Sequence, residues 1–125
     1  MADCCCNGKQ TANLIYACSG AANTGLLADQ VARKLAREGT GKMTCLAAVG
    51  AGLSGFLESA RAASANLVLD GCPVSCGKKI FENQDLPFRH FVMTEYGAEK
   101  GKTPITEELI GSVSGALKAQ QTCGC

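Results

Sequence analysis

The stretch LVLDGCPVSCGKKIF, residues 67–81, passes from an apolar run into a pair of thiols. ANLVLD (65–70) has the near-continuous apolar character of a strand buried on both faces, and it stops at Asp70-Gly71. Cys72 and Cys76 follow four positions apart, with Pro73 between them and Lys78-Lys79 behind. Pro73 suits the first helical position, so a short helix is expected from Pro73 through GKKIFEN. That would put both sulfurs about one turn apart on the same side.

Outward from this stretch, strand and helix signals alternate. Residues 13–17, NLIYA, make an earlier apolar run that ends at Cys18-Ser19-Gly20. TGLLADQVARKLAREGTG (24–41) reads as a helix: Leu27, Val31 and Leu35 recur every four positions, with Asp29, Arg33, Lys34 and Arg37 on the other face. Gly39 and Gly41 stop it. MTCLAAV (43–49) reads as a second strand, and GAGLSGFLESARAAS (50–64) as one helix with Leu53, Phe56, Leu57 and Ala60 inward. FRHFVMT (88–94) is a fourth strand. TPITEELIGSVSGALKAQQ (103–121) closes as a helix, with Pro104 in its first turn, Glu107 and Glu108 at its positive end, and Ile105, Leu109, Val113 and Leu117 along one face.

This alternation predicts an α/β fold, a single small three-layer domain with a four-stranded parallel sheet. The expected strand order is 2-1-3-4, flavodoxin- or Rossmann-like but smaller. The domain would span 13–120, flanked by cysteine-containing tails at 1–12 and 121–125.

The chain has 125 residues, 46% of them apolar, a net charge of +1 and a pI near 7.5. That balance supplies no field for nucleic acid or an anionic membrane. The start, MADCCCNGKQ, has no apolar core of a signal peptide, and the most apolar stretch, Cys45 to Leu57, is short and interrupted by Gly50, Gly52 and Gly55. A soluble cytoplasmic protein is expected, with neither nucleic acid nor membrane as partner. Nine cysteines in such a chain point to metal binding or thiol chemistry rather than to a disulfide framework.

In an open parallel sheet, ligands sit outside the carboxyl ends of the strands, where the strand order reverses. For order 2-1-3-4 that point lies between strands one and three, which end at Cys18 and Cys72. Cys76 is one turn further on. Helix amides pointing at Cys72, with Lys78 and Lys79 nearby, are surroundings that favour a thiolate, which serves equally as metal ligand and as nucleophile. A tetrahedral Zn²⁺ site needs about four ligands. Cys45 is the fourth candidate, but as the third residue of strand two it reaches the edge only if that strand is short. CCC (4–6) and CGC (123–125) fall at the opposite edge, where they read as terminal tails, with a second, looser metal site as the alternative.

Cys18-Ser19-Gly20, Met43-Thr44-Cys45-Leu46-Ala47 and Asp70-Gly71-Cys72-Pro73 with Cys76 together resemble the DGC-domain family, from about Asn13 to Gly97. The Asp-Gly-Cys-Pro-x-x-Cys stretch is the most specific part. The resemblance implies Zn²⁺ bound through four recurring cysteines, here Cys18, Cys45, Cys72 and Cys76, and it raises Cys45 above what strand geometry alone grants. It assigns nothing to the terminal cysteines.

Other readings stand beside this one. Two buried thiols at a helix start need no ligand. Cys72 could act as a nucleophile in thiol-redox or sulfur-transfer chemistry, with Cys76 or Cys18 as resolving partner. Four cysteines could also hold an iron–sulfur cluster. Asp70 reads as a loop hydrogen-bonder or as support for a metal ligand. His90, the single histidine, and Tyr16 read as structural residues. The loop CSGAANTGLL lacks the G-x-G-x-x-G pattern and the Walker lysine, so its phosphate-binding signal is weak.

Overall fold

A computed structural model describes residues 12–121. Most of the two expected tails, including Cys4, Cys5, Cys6, Cys123 and Cys125, lies outside the described residues. The elements, in chain order, are β1 (Leu14–Ala17), α1 (Asn23–Arg37), β2 (Lys42–Met43), α2 (Leu46–Gly50), α3 (Ser54–Ala62), β3 (Asn66–Asp70), α4 (Cys76–Asn83), β4 (Arg89–Val92), a 3₁₀ turn (Met93–Tyr96) and α5 (Glu107–Gln121).

The strands form one parallel sheet in the order β2-β1-β3-β4, as the alternating pattern predicts. Ile15 pairs with Leu67 and Met43, and Val68 with His90, which sets a common register across the sheet. The period of two in each strand then divides the core into two layers. Ile15, Ala17, Leu67 and Leu69 face α1 and α5, where Leu27, Val31, Leu35, Val113 and Leu117 cover them. Tyr16 and Val68 face the other way, under Val49, Ala60, Phe81 and Leu86 from the α2–α4 side. Tyr16 and Phe81 meet edge to face at 4.7 Å, and the buried Tyr16 hydroxyl donates to Asn66 Oδ1 at 3.0 Å.

Five local expectations need correction. Strand two is not 43–49 but Lys42–Met43, because Leu46, Ala47 and Ala48 prefer helix and start α2 immediately after Cys45. The single helix expected over 50–64 is two helices, broken at Gly52, whose φ is +74°. There the amides of Gly52 and Leu53 turn back onto the carbonyls of Val49 and Ala48, a Schellman closure. As a result Leu53 (51%) and Phe56 (36%) are exposed, while Ala60 keeps its place in the core. Helix α4 starts at Cys76 rather than Pro73, after Ser75 takes a left-handed conformation (φ 58°). Helix α5 starts at Glu107 rather than around Pro104, because the Thr106 hydroxyl accepts the Leu109 amide and caps it. Strand four is likewise shorter than 88–94, giving way to the 3₁₀ turn at Met93. Among the described residues, no helix is long and apolar enough to cross a membrane.

Candidate metal centre

The short β2 decides the position of Cys45. With the strand ending at Met43, Cys45 stands just past its carboxyl end, as the residue preceding α2. Cys18 follows β1 directly, and its amide donates to the Leu69 carbonyl at 2.9 Å. Cys72 follows β3 by two residues, and Cys76 opens α4. All four are free thiols, Cys45 and Cys76 exposed and Cys18 and Cys72 half-buried. The expected edge therefore carries every one of the predicted ligands.

Along that edge they separate into two pairs. Cys18 and Cys45 line a cleft of about 910 Å³, walled by Ala17, Met43, Leu46 and Phe56. Its polar rim is an ordered chain in which Arg33 Nε donates to Asp29 Oδ2 at 2.8 Å and Ser19 Oγ to Asp29 Oδ1 at 2.9 Å. Partial burial pushes the Asp29 carboxyl up, but the bonds from Arg33 and Ser19 outweigh it and hold the group below the usual carboxylate range. Cys72 and Cys76 lie outside that cleft, on a tight turn closed by the Ser75 amide donating to the Cys72 carbonyl at 3.0 Å.

The turn is braced from the sheet. Asp70 is 1% exposed, and its carboxylate accepts the Gly77 amide at 2.8 Å, the Lys78 amide at 3.0 Å and His90 Nε2 at 2.7 Å. A buried carboxylate at the positive end of α4 satisfies two amides that the helix cannot pair itself. So Asp70, not Cys72, caps this helix, and it does so from β3. Gly77 makes the approach possible: a Cβ there would stand 2.7 Å from Val68 Cγ1 and 3.0 Å from Asp70 Oδ1. Gly71 does the same for the other wall of the turn, since a Cβ there would stand 2.7 Å from the Thr24 carbonyl carbon at the start of α1.

His90 is the residue that reading the sequence passed over. It sits beside Val68 in the β3–β4 register, so it shares a sheet face with Asp70, two residues further along β3. Only the strand pairing exposes that relation, because twenty residues separate the two in sequence. Lys100 is a second such residue: its Nζ donates to Cys72 Sγ at 3.4 Å, across 28 positions, where Lys78 and Lys79 were the expected basic neighbours.

A zinc ion takes about four ligands, with Zn–S distances near 2.3 Å. The donors fit in kind, since four unpaired thiols share one edge. They do not fit in arrangement: among the described residues no group of three or more His, Cys, Asp or Glu is placed to hold one ion.

The DGC domain family matches residues 14–117. This chain belongs to the DGC-domain family. The matched span contains Cys18, Cys45, Cys72 and Cys76 as well as Asp70 and His90. The DGC domain is also similar to a Pseudomonas aeruginosa protein named "Anaerobic and virulence modulator AnvM", at 36% identity over 88 residues, covering 70% of this chain and 67% of the relative. No solved structure matches it.

Proposed function

We propose that this DGC-domain protein binds Zn²⁺ through the thiolates of Cys18, Cys45, Cys72 and Cys76 at the carboxyl edge of its sheet. The observation that supports the reading is that three separate strand ends deliver four free thiols to the same edge. Bound there, zinc would supply a closed tetrahedral centre of the structural or regulatory kind. The chain's own part is to hold the thiols. Asp70 fixes the Cys72–Cys76 turn to the sheet, and the Arg33–Asp29–Ser19 chain orders the rim beside Cys18. The relative is named a modulator, and a centre of this kind suits a regulatory rather than a catalytic role.

Elemental analysis and native mass spectrometry of anaerobically purified, tag-free protein test the reading. The chain carrying serine in place of Cys4, Cys5, Cys6, Cys123 and Cys125 should retain about one zinc per chain, and Cys72→Ser should lose it. A full equivalent of zinc in Cys72→Ser would sink the proposal, and iron in place of zinc would turn it toward a cluster.

One contact favours a second reading, thiol-redox or sulfur-transfer chemistry at Cys72. Lys100 gives that sulfur a charged hydrogen-bond donor at 3.4 Å. In metal-free protein Cys72 should then be alkylated faster than Cys76, although Cys76 is the more exposed. Equal rates, or faster Cys76, would count against it.

A further inference from the structure

We propose that the cleft between β1, β2 and α1 binds a small organic acid: a monocarboxylate with an apolar body, its carboxylate held by Arg33 and its body laid against Met43, Leu46 and Phe56. The proposal stands apart from the zinc reading, because its contacts are an arginine and apolar walls rather than thiolates.

The cleft has the size and make-up of a small-molecule site. Its volume of about 910 Å³ falls in the range of roughly 300–1,000 Å³ common for ligand pockets. It opens past the carboxyl ends of β1 and β2, on the edge where parallel sheets take ligands. Its wall is apolar, and part of that surface is still in contact with water. Phe56, on α3 after the turn at Gly52, lines the cleft and is 36% exposed. An apolar ligand body laid on this wall removes that area from water.

The charged side chains lining the cleft are Asp29 and Arg33, and their hydrogen bonds leave them unequal. Asp29 accepts Ser19 Oγ at Oδ1, and Arg33 Nε and Gln30 Nε2 at Oδ2, so both its oxygens are engaged. Arg33 gives only Nε to that carboxylate, and among the described residues its two terminal nitrogens make no hydrogen bond. Asp29 therefore orients the guanidinium and leaves its outer edge, with two parallel N–H groups, for a bidentate acceptor. A planar carboxylate matches that edge. The charge count narrows the ligand further. One cation beside one anion suits a monoanion, whereas a phosphate dianion would meet Asp29 with a single arginine to offset it. The Arg33 side chain is 56% exposed, so the charged end of the ligand faces solvent and the apolar end the cleft wall.

Titration of the full ¹⁵N-labelled chain with octanoate, followed by ¹H–¹⁵N NMR, tests this, with octanamide as the uncharged control of the same shape. Octanoate should shift the amides of Ser19, Arg33, Leu46 and Phe56 saturably and leave Ser75 and Gly77, on the Cys72–Cys76 turn, unmoved. It should bind roughly tenfold tighter than hexanoate, for two more buried methylenes, and at least about fivefold tighter than octanamide. Arg33→Gln, a change at an exposed position, should lower octanoate to the affinity of octanamide and leave octanamide unchanged. Phe56→Ala should weaken both ligands at least about threefold. Equal affinity for octanoate and octanamide, or an Arg33→Gln chain that binds octanoate as the parent does, overturns the proposal. No saturable shift up to about 10 mM octanoate, or shifts centred on Ser75 and Gly77, also overturns it. Zinc content of the same sample separates the two readings: octanoate binding without zinc sinks only the metal centre, and zinc without octanoate binding sinks only the acid site.

Discussion

Replacing Asp70 by alanine should remove most of what holds the Cys72–Cys76 turn. The carboxylate accepts three hydrogen bonds at 2.7–3.0 Å from a position that is 1% exposed, and alanine leaves the Gly77 amide, the Lys78 amide and His90 without it. Loss of a helix cap costs about 1 kcal/mol, and hydrogen bonds to a charged group contribute about 1.5–3 kcal/mol each. Those contributions overlap. Lys78 N is only part-buried and His90 keeps 20% of its side chain in solvent, so water recovers some of the loss. The net cost should be about 3 kcal/mol, a large share of the roughly 5–15 kcal/mol that stabilises a domain. Urea unfolding followed by circular dichroism measures it: with m of roughly 1.5 kcal/mol/M, the midpoint should fall by about 2 M at unchanged m. His90→Ala removes one of the three donors and should cost about 1–2 kcal/mol. Because both changes act on the same bond, the double variant should cost less than the sum of the two. A midpoint shift below about 0.5 M for Asp70→Ala, or strict additivity with His90→Ala, would refute the bracing role.

The remaining predictions concern the core and its pH response. Burial pushes the Tyr16 hydroxyl up to about 12, so stability should be undiminished up to the unfolded value of 10 and fall as pH rises through 12. Tyr16→Phe should abolish that alkaline decline in urea titrations, while losing about 1 kcal/mol at neutral pH with the Asn66 bond. Gly77→Ala should cost about 1–3 kcal/mol, because its Cβ meets Val68 Cγ1 at 2.7 Å, and a thermal midpoint equal to wild type would show that the contact yields freely. Phe81→Ala, at a fully buried ring, should cost about 3–5 kcal/mol, whereas Phe56→Ala, at a ring 36% exposed, should cost well under half of that.

The parallel sheet and its order were legible because the strands are apolar runs separated by helix-length segments. Residues 14–17 and 66–70 carry little else. The face of α1 was legible for the same reason, since Leu27, Val31 and Leu35 keep a helical period and are all buried. Cys18 and Cys72 could be placed at strand ends and Cys76 just beyond, and the structure puts them there; Cys45 reaches the edge only because β2 is shorter than its pattern suggests. What sequence could not supply is the relation between elements. The 2.7 Å bond from His90 to Asp70 and the 3.4 Å bond from Lys100 to Cys72 each join residues brought near only by the strand pairing or by the folding of a long loop. Nor does the sequence say that four thiols on one edge stand as two pairs, because that depends on which wall of a crossover each side chain leaves from.

The local misreadings are informative in where they fall. Strand two stops early at Cys45, and α4 starts late at Cys76. The helix expected after β2 breaks at Gly52, which leaves Phe56 in the cleft wall beside Cys18 and Cys45. Three of the five departures thus occur in the connections that carry or surround thiols, while β1, β3 and α1 follow their patterns. Such a distribution is expected when regular structure is selected for stability and irregular structure for a site. A regular β2 through residue 49 would have buried Cys45 in the sheet. A helix opening at Pro73 would have drawn Val74, now 52% exposed on the turn, into its first turn. The cap supplied by Asp70 allows the chain to begin α4 three residues later without leaving its first amides unpaired. The buried carboxylate is therefore the point where the core and the thiol edge meet: it belongs to the sheet by position and to the candidate centre by effect.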